Sequence, residues 1–210
     1  MRGDGWPAIA VTAGPFTAIT VTDNLLVYFK NIVQAFTSRF KQLGGTINDA
    51  ESFTSFDKTI GNVVSRVNAQ KADVIVTSTG FADWPAFMAG LRSLNNQTPI
   101  MNSWAGDGTF WYPKSPPVSN YWYVTYASVF GDDPSAAVRR MISQLTGLGQ
   151  APATGGFVTG AASIDGIAAA VKQAKGSTNG AVTGGQSQQI DGRGSIRKSG
   201  GVSERRIAVN

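Results

Sequence analysis

Hydrophobic positions in this chain switch repeatedly between two spacings. Ala18-Ile19-Thr20-Val21-Thr22 is a short β-branched run, the pattern of a buried strand. Beyond it, Leu25, Phe29, Ile32, Phe36, Phe40 and Leu43 recur at steps of three and four, which lays one apolar stripe along a helix. Gly44-Gly45 ends that helix, because glycine takes a left-handed turn without steric cost. The alternation then repeats. Thr46 to Phe53 reads as a strand, and Asp57 can cap a helix carrying Ile60, Val63, Val64 and Val67. Val74-Ile75-Val76-Thr77 is a second buried strand, Ala82 to Leu94 a third helix with Pro85 in its first turn, and Pro99-Ile100-Met101 a third short strand. Strands alternating with helices of this length predict an α/β fold with a doubly wound parallel sheet.

After residue 105 the rhythm changes. A loop dense in Gly, Pro and aromatics covers 105–119, and Tyr121 to Val129 reads as an aromatic, β-branched strand. Asp132-Asp133-Pro134 is expected to start a helix with Val138, Met141, Ile142 and Leu145, and a last helix covers about 160–175. The organisation is an irregular segment at 1–17, the α/β domain at 18–128, helices at 129–182, and a Gly/Ser-rich basic tail at 183–210 with one weak strand near Arg206 to Val209.

Composition narrows the chemistry. At 210 residues and 42% hydrophobic content the chain has enough apolar surface for a core, and no apolar run approaches the ~18 residues of a membrane span. It contains neither cysteine nor histidine. That removes disulfides, thiolate metal sites and cysteine nucleophiles, together with the commonest metal ligand and the side chain best suited to proton transfer near neutrality. No cofactor is expected. The net charge of +5 is concentrated in the tail, where Arg193, Arg197, Lys198, Arg205 and Arg206 face only Asp191 and Glu204. Nucleic-acid binding would need stacking aromatics or a recognition helix beside such a cluster. The tail supplies Gly and Ser instead and reads as solvated. Met1 to Pro15 lacks the basic start, apolar run and small-residue cleavage site of a signal peptide.

Motifs for catalysis are missing. No glycine turn is followed by Lys and Ser/Thr, and Gly106-Asp107-Gly108 and Gly192-Arg193-Gly194 do not join a strand to a helix as a dinucleotide fingerprint requires. No serine sits in Gly-x-Ser-x-Gly. Asp132-Asp133, the obvious carboxylate pair, is explained by capping. Asp107 lies among Trp104, Phe110, Trp111 and Tyr112. There it can hold an ammonium group beside aromatic surface, or it can stabilise its own turn.

Several strings together resemble the type I periplasmic substrate-binding proteins of branched-chain amino-acid (Leu/Ile/Val) ABC importers. They are Ile19–Thr22 with the long helix ending Phe40-Lys41-Gln42-Leu43-Gly44-Gly45, then VVSRVNAQKADVIVTST after Asp57, and GAASIDGIAAAVKQAKGSTNGAV at 160–182. The resemblance spans about residues 18–182 and is to that family's second lobe. It implies a type I lobe at 18–128, an incomplete further lobe contributed by the C-terminal helices at 129–182, and a first lobe that this chain lacks. The aromatic residue usual in the late helix is Ile164 here, and the segment after Thr183 is shorter and richer in glycine.

The resemblance implies a solute-binding component of an ABC importer, periplasmic or at the cell surface. It would bind an amino acid or similar small polar solute without chemistry and pass it to a permease. The alternative is the ligand-sensing domain of a regulator or receptor with the same fold. Neither nucleic acid nor membrane insertion is implied. Ligands in open α/β sheets sit beyond the carboxyl ends of the strands. Those positions are Asp23 and Asn24, then Thr79, Gly80 and Phe81, then Trp104 with Asp107 close by. Asp23 has a second reading as a helix N-cap, and Thr79 and Gly80 as a plain strand-to-helix turn. Trp104 falls near where relatives place an acid for the ligand's amine, so either Asp107 takes that duty or the ligand differs. A lone lobe is also expected to show exposed apolar surface between residues 134 and 175.

Overall fold

The structure, a computed structural model, describes residues 16–80 and 83–180. Residues 1–15, Phe81, and the tail with its expected strand lie outside the described residues. Five strands, β1 (Thr17–Asp23), β2 (Thr46–Phe53), β3 (Val74–Ser78), β4 (Ile100–Asn102) and β5 (Tyr121–Tyr123), form one sheet in the order β2-β1-β3-β4-β5. All four neighbouring pairs are parallel. Parallel pairing requires crossovers. Helices α1 (Val27–Gln42), α2 (Ile60–Ala69) and α3 (Asp83–Ser93) supply the first three.

The crossovers cover both faces. On one, Ile19, Val21, Phe53, Ile75 and Ile100 of the strands pack with Val63, Val64 and Val67 of α2 and with Trp84, Phe87, Met88 and Leu91 of α3. On the other, Ala18, Val74 and Val76 pack with Phe40 of α1. β3 is buried along its whole length, which is why it reads as a continuous run without polar alternation. The sheet is therefore doubly wound, as the alternation of periods predicted. Its winding direction reverses between β1 and β3.

One irregularity decides which face β2 serves. Ala18 pairs with Ile47 but Ile19 pairs with Asp49, so Asn48 is an extra residue, and its amide donates to the carbonyl of Lys71. A one-residue bulge reverses the in/out alternation. Ile47 thus packs on the α1 side, while Phe53 joins the opposite core and Glu51 reaches Arg66 of α2 at 2.7 Å.

Helix boundaries differ from the sequence reading at three starts. α1 begins with Leu26 as N-cap and no side-chain cap, because the Asp23 carboxylate is drawn elsewhere. α2 follows Thr59, and Asp57 instead closes a turn by accepting from Thr59 N and Oγ1. α4 (Ala136–Gly147) is capped by Ser135, whose Oγ accepts from Val138 N. Asp133 lies two residues earlier and accepts from Ser135 N and Ser128 N. The aromatic strand is also shorter than expected. Val124 N still reaches the Asn102 carbonyl, but Thr125 then turns its hydroxyl to Asp107 and to the carbonyl of Ala127, which peels the chain off the sheet.

The described residues fall into two compact units divided between Gly156 and Phe157. The first holds the sheet with α1 to α4. The second begins with α5 (Phe157–Gln173), on which Ile164 and Ile167 are exposed.

Candidate functional site

Because the strands are parallel, their carboxyl ends share one side, and the loops leaving them form a rim. The centre of that rim is a buried carboxylate. Asp23 ends β1 and is fully buried. Its Oδ1 accepts from Leu25 N and Ser55 N, and its Oδ2 from Ser55 Oγ at 2.6 Å and Thr79 Oγ1 at 2.8 Å. One side chain therefore ties together the ends of β1, β2 and β3. Four donors on this one carboxylate replace the hydrogen bonds that burial takes from water.

The β3 and β4 ends are locked by neutral groups. Thr79 N donates to Asn102 Oδ1 while Asn102 Nδ2 donates back to the Thr79 carbonyl. Ser78 and Ser103 hydroxyls meet at 2.8 Å. The short 3-10 turn Trp104–Gly106 then passes so close that a Cβ on Gly80 would lie 2.0 Å from the Ala105 carbonyl oxygen. Glycine is demanded there by space. Trp104 leaves this turn half-exposed, with its ring between Tyr28 (5.8 Å) and Tyr126 (5.6 Å). An open apolar groove of about 350 Å³ runs beside it, lined by Tyr28, Ile32, Phe36 and Phe40 of α1 together with Val124.

Asp107 is a second buried carboxylate. It accepts from Thr125 Oγ1 at 2.9 Å and Gly155 N at 2.8 Å, tying the loop after β4 to segments 18 and 48 residues further on. Burial raises its pKa, although these hydrogen bonds pull the other way. Both bonds run to distant segments, so the carboxylate is engaged within the protein but not simply in its own turn.

The β2–α2 loop is pinned at nearly every residue. Thr54 N donates to Asp57, Ser55 to Asp23, and the Phe56 amide to the carboxylate of Asp83 at the start of α3. The loop thus reaches from β2 across β1 toward the chain leaving β3. Phe56 and Lys58 both hold positive φ, +77° and +62°, and Phe56 as a residue is 61% exposed.

The structure accordingly divides the expected site residues. Asp23, Thr79 and Asp107 are buried and engaged within the protein. Asn24 and Gly80 are partly exposed at the rim, Trp104 more so, and Phe81 is outside the described residues. Sequence reasoning missed Ser55, Phe56, Asp83 and Asn102. The one available signal was Phe56, an aromatic side chain in the polar string Thr54-Ser55-Phe56-Asp57-Lys58 with no place in any periodic pattern. Among the described residues no group of three metal-ligating side chains occurs, and no helix is long and apolar enough to cross a membrane.

No protein-family model matches the chain, and no curated protein sequence matches it. Solved structures do. The branched-chain amino acid transporter substrate-binding protein LivJ from Streptococcus pneumoniae, in complex with isoleucine, is similar at a TM-score of 0.71 and 18% identity, over 83% of this chain and 49% of that one. A leucine-binding protein LivK from Thermotoga maritima gives a TM-score of 0.69 at 17% identity, over 88% and 53%. A solute-binding protein of an ABC transporter from R. palustris, in complex with benzoate, gives 0.67 at 16%, over 90% and 52%. At such identities the likeness is one of fold, the periplasmic-binding-protein-like type I fold. The chain spans about half the length of the structures it matches.

Proposed function

We propose that this chain forms one wall of a solute-binding cleft in the binding component of an ABC importer, which holds a small molecule without transforming it. The observation that carries this reading is the rim itself. It lies at the strand carboxyl ends, where the winding reverses between β1 and β3, the position at which doubly wound sheets take ligands. Its polar groups are consumed in a rigid frame, and exposed aromatic surface stands on that frame. A frame of this kind positions a ligand and offers no proton shuttle, consistent with a sequence that contains no histidine. The shared fold supports the same reading, since the similar structures are substrate- or solute-binding proteins of transporters. In this reading the protein works outside the cytoplasmic membrane, delivers its solute to a permease, and closes its cleft with a second lobe.

The ligand class includes small solutes with an apolar part, branched-chain amino acids and aryl carboxylates among them. A thermal-shift panel of both classes tests it. A solute at ~100 times its dissociation constant stabilises the native state by about 2.7 kcal/mol. Concentration-dependent stabilisation by at least one solute is expected. If neither class stabilises the protein at millimolar concentration, the reading fails.

A further inference from the structure

Helix α1 carries more apolar surface than its contact with the sheet buries. Its Tyr28, Ile32, Ala35, Phe36 and Phe40 recur at the spacing of one helix face. Phe40 joins the core with Ala18, Val74 and Val76, and Phe36 packs on that cluster, stacked on Phe40 at 5.0 Å. Among the described residues α1 is the one helix in this cluster. Met101 of β4 lies on the same face and pairs in register with Trp122 of β5, and Trp122 and Val124 are exposed.

The open groove of about 350 Å³ runs along this flank, bordered by Tyr28, Ile32, Phe36, Arg39, Trp104 and Val124. Small-molecule sites span roughly 300–1,000 Å³ and are lined mainly by apolar and aromatic side chains. A crossover helix runs back against its parallel strands, so α1 starts at the rim and ends away from it. From Tyr28 to Arg39 the groove follows α1 for about 16 Å, at a helical rise of ~1.5 Å per residue.

The two ends of the groove differ in polarity. At the rim end, the Ser103 hydroxyl is already engaged with Ser78 Oγ and Ala105 N. At the far end, Arg39 is exposed, and its hydrogen bond among the described residues is a long one, 3.4 Å to Gln42 Oε1. The ion pair formed among the described residues is Arg66–Glu51, and α1 carries Lys30, Arg39 and Lys41 with no acidic residue. An arginine on such a border lays its methylene stem along apolar surface and keeps its head in water. The forked guanidinium matches a carboxylate in geometry as well as charge.

We propose that this groove binds an amphiphilic carboxylate, with an extended apolar chain along Tyr28, Ile32 and Phe36 and the carboxylate on the Arg39 guanidinium. A purely polar solute finds no partner along most of the groove, and a cationic amphiphile meets the wrong charge. The site leads away from the rim and does not rest on reading the rim as one wall of a solute cleft.

Decanoate is the probe, with 1-decanol as the uncharged control and decyltrimethylammonium as the cationic one, each kept below its micelle concentration. Binding to the 15N-labelled full chain is followed by NMR at the Trp104 indole N–H, the signal lost in W104F. Wild type, R39Q and A35F are compared, with a denaturation midpoint for each. Ala35 is exposed and lines the groove, so phenylalanine there fills the groove from the solvent side. Decanoate is expected to shift the Trp104 signal in wild type and to bind about tenfold tighter than decyltrimethylammonium. R39Q is expected to weaken decanoate about tenfold and to leave decanol within about twofold. A35F is expected to weaken decanoate and decanol alike.

No shift at Trp104 from millimolar decanoate overturns the site. So does decanoate binding that is unchanged in A35F, which would put the ligand elsewhere. Decanoate affinity unchanged in R39Q, or matched by decyltrimethylammonium, overturns the carboxylate assignment. R39Q decides this even where A35F lowers the midpoint, because Arg39 lies outside the core. Each of these failures leaves the cleft reading standing.

Discussion

Removing the Asp23 carboxylate strips the acceptor from four donors, the part-buried amide of Leu25 and the buried Ser55 amide, Ser55 hydroxyl and Thr79 hydroxyl. Donors left unpaired in a buried place each cost about 1–3 kcal/mol. D23A is therefore expected to lose ~3 kcal/mol or more, and D23N less, since one acceptor oxygen remains. Urea denaturation measures both. G80A acts by a different route. The added Cβ would overlap the Ala105 carbonyl, so the 3-10 turn carrying Trp104 must shift, at a cost of about 1–3 kcal/mol. A changed tryptophan emission maximum alongside the lowered midpoint is the expected signature. None of these ties was legible in the sequence. Asp23 stands two residues before Leu25, but its other partners stand 32 and 56 residues away, and local patterning favoured a helix cap for it. That Trp104 and Asn24 reach the rim surface followed from strand direction alone. The fate of Asp107 did not, because Gly155 lies 48 residues further on.

Elements were readable wherever one repeating face decided the structure. β3 and α2 lie almost where their apolar spacing put them, since every residue in them meets either core or solvent. β5 was not readable to its end. Its β-branched continuation supports extension, and only the pull of Asp107 on Thr125 ends it. Another distant anchor holds this short strand in place. Arg92, in the last turn of α3, is buried and donates to the carbonyls of Asn96, Thr98, Ser119 and Asn120. Burial lowers its pKa, and main-chain dipoles satisfy its donors. R92M keeps much of the packing but leaves those carbonyls without their donor. It is expected to cost ~3 kcal/mol and to speed hydrogen exchange at Tyr121–Tyr123 more than in β3.

Across the whole molecule, partly buried tyrosines are expected to weaken the fold at alkaline pH. Tyr28, Tyr112, Tyr121 and Tyr123 all have pKa values raised above the ordinary 10.0, mainly by desolvation. Above about pH 10 the unfolded chain releases these protons while the native state keeps them, so the unfolded state binds fewer protons and stability falls as pH rises. Denaturation midpoints between pH 9 and 11 are expected to decline from these groups. Midpoints that stay level across that range would contradict the desolvation of these four side chains. The strand order carries a further consequence, for synthesis. β1 is made first and lies inside the sheet, β2 and β3 attach to its two sides, and β4 and β5 each attach to the strand made just before them on that side. No strand has to be inserted between two that are already paired. Each one leaving the ribosome finds a finished edge to join, so a sheet built entirely from long-range pairings can still grow in the order of translation.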